Sequence, residues 1–322
     1  MNRKTLVNIA NNILKQNPDP VVKHILIKNF LKEKNNEYLY QSKCYRQLKE
    51  EQNSNGSWGR FHSENTKINS IFRTTEKAID RCISIGIGKN DPILKKAKNY
   101  MERLLKKEEK IQDWSEKNDR WETGVEMFIA GTLSLVDPEN PILDDIFKKW
   151  LQITQIAFKS GQYQHGDDKQ AHKVINGISC EIQYLALNNK YAISILAGRS
   201  KEIQADLRKK LIKWIWNKEK GIGYLRDFQL CSFHKVDDKY IVDTWFNAID
   251  IISNFKTWKV VCKDFIDYLI NRKTNNSLWD FGKRATQNII FPLSENWKKK
   301  KNRIFDYSTK VLLLLDKYFS SE

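Results

Sequence analysis

Gln52-Asn53-Ser54-Asn55-Gly56-Ser57-Trp58-Gly59 is a polar turn that sets one tryptophan and two flexible glycines between stretches of helical periodicity. Weaker versions follow it. A helical segment runs into Lys110-Ile111-Gln112-Asp113-Trp114, another into Lys159-Ser160-Gly161-Gln162-Tyr163, another into Lys220-Gly221-Ile222-Gly223-Tyr224, and a last into Asn275-Asn276-Ser277-Leu278-Trp279-Asp280-Phe281-Gly282. The aromatics Trp58, Trp114, Tyr163, Tyr224 and Trp279 are 56, 49, 61 and 55 residues apart. A period of this size exceeds one helical hairpin by a long connection, so each unit is expected to hold two helices and a surface loop, stacked on its neighbours.

Apolar residues recur at helical spacing through nearly every segment, and no run of strict alternation is long enough for a sheet. The chain is read as all-α. Helices are expected over 4–15, 20–33, 37–52, 74–86, 92–106, 121–135, 142–158, 169–187, 201–217, 241–254, 258–271 and 304–318. Pro20, Pro92 and Pro141 stand where first helical turns accept proline, and Asp119 precedes Glu122 at capping-box spacing. Gly86-Ile87-Gly88, Asp137-Pro138 and Gly221-Ile222-Gly223 are the explicit stops.

The helices alternate in character. Those opening at 74, 121, 169, 241 and 304 carry small or uncharged residues on more than one face, whereas those at 92, 142, 201 and 258 have a Lys-rich outer stripe. A helix apolar most of the way round is buried, and a one-sided helix lies at the surface. Six inner and six outer helices in alternation close naturally into a ring. The expected fold is a single (α/α)6 barrel, or toroid, spanning residues 1–322, with loops and inner-helix ends around a central cavity.

Lys and Arg number 56 against 39 Asp and Glu, a formal charge of +17 that would attract phosphate esters, nucleic acid, acidic glycans or membrane surfaces. The charge is spread over helix faces, apart from Lys298–Lys301 and the group Arg208, Lys209, Lys210 and Lys213, so a compositional origin competes with a functional one. Five separated cysteines without a CxxC pair read as reduced core residues. No apolar run reaches the ~18 residues of a membrane span, and Met1-Asn2-Arg3-Lys4 leads into an amphipathic helix, which points to the cytoplasm.

Gln52 to Gly59, with Trp279 to Gly282 as its distant echo, resembles the Gln-Trp repeat of the squalene cyclase and prenyltransferase superfamily. The resemblance covers most of the chain from residue 37 onward, although only Gln52 to Gly59 is a good motif match. It implies an (α/α)6 toroid in which Trp58, Trp114, Tyr163, Tyr224 and Trp279 tie outer helices together. The catalytic motifs of that superfamily are missing. There is no Asp-x-Asp-Asp or Asp-Asp-x-x-Asp stretch; Asp144-Asp145, Asp167-Asp168 and Asp237-Asp238 are bare pairs, and the Asp-x-Cys part of a prenyltransferase zinc site has no counterpart.

Candidate chemistry therefore rests on local clusters. His62, Arg73 and Glu76 follow the best repeat, where an imidazole can exchange protons near neutral pH and an Arg can hold an anion. Asp119, Arg120 and Trp121 open another inner helix, with Asp243 and Trp245, and Asp306 beside Tyr307, at corresponding places. Repeated capping explains these Asp residues as well as catalysis does. His172 and Asn176 share a face of a helix expected to continue to Tyr184, and such residues also serve polysaccharide lyases. Cys231 and His234 lack a second ligand pair, so no metal site is assigned, and no phosphate loop or dinucleotide fingerprint identifies a cofactor.

The first expectation is an enzyme acting on a prenyl or other hydrophobic or anionic small substrate. In it Trp121 and Trp245 would face a carbocation, Arg73 and Arg120 would hold diphosphate, and Asp119, His62 or Asp306 would handle protons. The alternatives are a basic ring that grips nucleic acid or another polyanion, and a polyanionic glycan lyase or hydrolase using His172 and Tyr184. Nothing in the sequence specifies an oligomeric state.

Overall fold

The computed structural model describes residues 1–64, 66–233, 242–282 and 292–320. The described residues form fifteen α-helices and no β-strand. These are α1 (Arg3–Leu14), α2 (Pro20–Leu26), α3 (Glu37–Gln41), α4 (Lys43–Glu50), α5 (Thr75–Ser84), α6 (Pro92–Leu105), α7 (Trp121–Val136) and α8 (Asp144–Ala157). They are followed by α9 (His165–Asn176), α10 (Lys190–Gly198), α11 (Ala205–Asn217), α12 (Val242–Ile252), α13 (Trp258–Val261), α14 (Lys263–Asn271) and α15 (Lys300–Phe319).

Caps explain several boundaries. Asn2, Asp19, Ser42, Thr74, Asp91 and Asn189 each accept a first-turn backbone N–H at the starts of α1, α2, α4, α5, α6 and α10. Ser42 also explains why the stretch expected as one helix over 37–52 is two. Its extended ψ of 141° breaks the ladder while its hydroxyl restarts it.

The segment 169–187 is a correction. α9 ends at Asn176 because Gly177 adopts φ 68°, and an irregular stretch with a 3₁₀ turn leads to α10. α9 packs on α8, and it is α10 that packs on α7. Gly131 permits that approach, since a Cβ there would lie 2.6 Å from the Tyr191 Cα. The expected capping box is also corrected. Asp119 makes no cap bond to α7 and instead accepts hydrogen bonds from Ser179 and Cys180 across the turn.

α5 packs on α7, α7 on α10 and α10 on α12. α12 meets α15 through Asp250, 4.0 Å from Lys310 and from Lys317, and through the Phe246 and Tyr307 rings. α15 packs on α2, and α2 reaches the turn after α5, where His24 Nε2 lies 3.3 Å from the Gly86 carbonyl oxygen and Lys28, just past α2, donates to it at 2.7 Å. α6 packs on α5 and α7, while α8 pairs with α9 and α11 with α13. No helix among the described residues is long and apolar enough to cross a membrane. All five cysteines are free.

Two of the repeat aromatics are built alike. The Trp58 indole donates to the Leu48 carbonyl, ten residues upstream, at 2.9 Å, and its backbone N–H donates to the Thr75 hydroxyl at 2.9 Å. Trp279 repeats the device, its indole donating to Leu269, again ten residues upstream, at 2.7 Å and its N–H to the Ser308 hydroxyl at 3.0 Å. Each buried indole thus locks the end of one helix to the hydroxyl face of a later one. Gln52 donates to Gly56 and to the Ile93 carbonyl at the start of α6, fastening the turn to the next outer helix. The other three repeat aromatics depart from this pattern. Trp114 is 73% exposed and lies under Arg60, Tyr224 is 48% exposed, and Tyr163 stacks on Trp214 at 4.0 Å.

Candidate functional site

The loop after the Trp58 turn is held from two directions. Asp113 accepts the backbone N–H groups of Phe61, His62 and Ser63, and the first amides of α5, from Thr75 and Glu76, donate to the carbonyls of Arg60 and Phe61. His62 is thereby fixed beside the N-terminal turn of α5. The same construction recurs at α10, where Lys190 N–H donates to Gly223 O and Gly223 N–H to Asn188 O. That strap sets Tyr224, with φ 63°, beside Lys190 and Tyr191.

These two helix starts converge. His62 Nδ1 lies 2.8 Å from Glu76 Oε2, and the Tyr191 hydroxyl donates to the same oxygen at 2.6 Å while standing 3.0 Å from Nδ1. With an ionised carboxylate as acceptor, the network assigns a proton to Nδ1 and leaves Nε2 outside it. Nε2 has no protein partner among the described residues, and the His62 side chain is 22% exposed against 11% for Glu76. Phe128 of α7 stacks on the imidazole at 4.1 Å and 11°, and Tyr224 meets it edge-on at 5.3 Å. Tyr191 and Tyr184 extend the aromatic wall around Phe128, at 4.9 and 5.8 Å.

Behind this wall Lys190 forms an ion pair with Asp80, one turn beyond Glu76 on α5. Burial pushes Glu76 up, but hydrogen bonds from His62 and Tyr191 and the charge of Lys190 outweigh it, so its carboxyl stays below the ordinary 4.5. Burial raises Asp80 despite Lys190, and it alone would lower Lys190, which Asp80 and Glu76 instead raise. Burial and the nearby Glu76 hold Tyr191 far above its usual value, so this hydroxyl remains a donor. A positioned imidazole with one nitrogen anchored by a buried carboxylate is suited to general base and acid work.

Of the residues singled out in the sequence, His62 and Glu76 are brought together, and Tyr184 and Arg120 stand at the edge of the same cluster. Arg120 lies over the Tyr184 ring at 5.3 Å, but its guanidinium is engaged by the Glu181 carbonyl at 2.8 Å and by Glu116. Arg73 is exposed and faces Glu64 at 3.9 Å. Asp119 is held well below the carboxylate range by Cys180 and Ser179, so it is a loop tie and a poor proton donor. Asp306 is fully buried and accepts from Leu293, Ser294 N–H and the Ser294 hydroxyl, another loop tie.

Trp121, two turns N-terminal to Phe128 on α7, lines a groove with Leu104 and Leu105 of α6. Trp245 is core, packed on Phe265 at 3.8 Å, and Asp243 is buried on the same helix. His172 and Asn176 hydrogen-bond each other at 2.9 Å inside the α8–α9 hairpin, away from the cluster. His234 and the pair Asp237-Asp238 lie outside the described residues.

Tyr191, Lys190, Asp80 and Phe128 were not anticipated as site residues. The i, i+4 acids Glu76 and Asp80, on the same helix as the apolar Ala78, Ile79 and Cys82, were a usable signal. Among the described residues no group of three or more His, Cys, Asp and Glu could hold a metal. No protein-family model, no curated protein and no solved structure matches the chain.

Proposed function

We propose that this protein is an enzyme performing general acid–base chemistry on a hydrophobic small molecule, prenyl or terpenoid-like in character, within an (α/α)6 toroid. The observation that carries the reading is the anchored imidazole. His62 Nδ1 is fixed by buried Glu76 and Tyr191, its other nitrogen carries no protein partner, and Phe128, Tyr184 and Tyr224 supply an apolar, π-rich surface beside it. In this reading Nε2 takes or delivers the substrate proton, Glu76 stabilises the imidazolium, and the rings favour a substrate with cationic character in its transition state.

The ring closure is supported by the unbroken succession α2, α5, α7, α10, α12, α15 and back to α2, with α6, α8 and α11 outside it. Likeness to the squalene cyclase and prenyltransferase superfamily is supported by the two indole locks and by the Gln52 bridge. A diphosphate clamp from Arg73 and Arg120 lacks such support, because both guanidinium groups face carboxylates.

The test is a ligand and turnover screen with prenyl alcohols, prenyl diphosphates and acidic oligosaccharides, run on wild type and His62→Ala, with products read by mass spectrometry. Conversion of a prenyl compound that disappears in His62→Ala supports the proposal. Conversion unaffected by that substitution, or ligand shifts with the oligosaccharides alone, overturns it.

A further inference from the structure

A second concavity is lined by Trp121, Val125 and Ile129 of α7 and by none of the residues of the His62 cluster, and the inference drawn from it stands independently of the proposed reaction. Trp121, Val125 and Ile129 form one stripe at i, i+4 and i+8, and Leu104 of α6 and Ile111 of the following loop wall it in. The half-open groove has a volume of about 560 Å³, within the range of small-ligand sites.

Its lining carries three lysines, Lys107, Lys110 and Lys149, and three glutamates, and they are unevenly paired. Of the three lining glutamates, Glu122 faces Lys107 at 3.7 Å, Glu126 pairs with Lys149, and Glu109 is held by Arg103 at 2.9 Å and by Asn55. Lys110 also lines the groove and has no carboxylate partner among the described residues. The result is a trough with an apolar stripe between charged walls, big enough for one chain, in which Lys110 is the one lining lysine without a carboxylate partner among the described residues. We propose that this groove binds a single-chain carboxylate amphiphile, the hydrocarbon lying along the Trp121–Ile129 stripe and the head group meeting Lys110. One free ammonium matches one monoanionic head, and burying a chain against Trp121, Val125 and Ile129 provides most of the affinity.

Calorimetric titration with dodecanoate, dodecanol, dodecyl phosphate and dodecyltrimethylammonium, each below its micelle concentration, tests this. The expected result is saturable binding of one dodecanoate, weakened about tenfold by Lys110→Glu, blocked by Val125→Trp and unchanged in His62→Ala. Because Val125→Trp could unfold the protein, brominated dodecanoate provides an independent reading: it should quench wild-type tryptophan fluorescence more than that of Trp121→Phe. Absence of saturable binding, equal binding of the cationic amphiphile, tighter binding of dodecyl phosphate, or equal quenching in Trp121→Phe overturns the proposal.

Discussion

His62 Nδ1 and Glu76 Oε2 stand 2.8 Å apart across fourteen residues of sequence, joined because the first amides of α5 are strapped onto the loop that carries the histidine. The geometry gives the carboxylate two roles, orienting the ring and compensating Lys190.

Glu76→Gln keeps the shape and removes the charge, leaving Lys190 to Asp80 alone. Its expected cost is about 1–3 kcal/mol near neutral pH, read by urea unfolding. Since the folded pKa of Glu76 is lowered, its contribution is present above the unfolded value of 4.5 and is lost as pH falls through the folded one. The gap between wild type and variant should therefore narrow in acid; a gap that widens would refute an ionised Glu76.

In the α8–α9 hairpin, Asp168 Oδ1 and His172 Nε2 are fully buried and face each other at 3.7 Å, beyond hydrogen-bond reach. Burial raises Asp168 to about 6 and lowers His172 to about 4, so between these two values the fold holds both neutral where the unfolded chain carries them charged. The raised acid contributes stability present below its unfolded 3.8 and lost as pH rises through about 6. The lowered histidine contributes stability present above its unfolded 6.5 and lost as pH falls through about 4. The two slopes oppose. Between about pH 7 and about pH 5, Tm of Asp168→Asn should fall relative to wild type and that of His172→Gln should rise. Shifts of the same sign would contradict a neutral pair.

Trp58→Ala should cost about 3–5 kcal/mol, removing a buried ring and the donor to Leu48. Trp114→Ala, at a residue 73% exposed, should stay within about 0.5 kcal/mol. Chemical denaturation of the two variants side by side checks this, and comparable losses would restore Trp114 to the repeat.

Gly56 and Gly161 have similar positive φ values, 98° and 92°, in different surroundings. A Cβ on Gly56 would sit 2.3 Å from the Lys96 carbonyl oxygen, whereas one on Gly161 meets nothing within 4 Å. Gly161→Ala should therefore cost about 1 kcal/mol, the left-handed strain alone, and Gly56→Ala clearly more, because α6 must move. Thermal unfolding that ranks them in the reverse order would refute the close turn–helix approach.

The helical class, most helix positions and the Gln52–Trp58 turn were legible because periodicity, caps and glycines act over a few residues. The His62 and Glu76 pairing was half visible, since both lie within one loop–helix unit. Tyr191 completes the cluster from 115 residues beyond Glu76, and no local pattern points to it. Trp121 illustrates the converse error. Its place at a helix start suggested the cavity, yet Phe128, two turns further along α7, is the residue that stacks on His62, while Trp121 lines the groove beside α6.

By itself the sequence determined where most helices start and stop, which faces are apolar, and that a tryptophan-bearing turn recurs, because these follow from backbone sterics and the 3.6-residue period. Only the tertiary structure decided that α10, not the segment from 169, lies against α7. Gly131 lets the two backbones approach where Gly177 has already ended α9. It also decided which polar residues became loop ties, as with Asp119 and Asp306, and which became a site. That choice depends on the partners packing brings to each buried charge, and those partners come from distant parts of the chain.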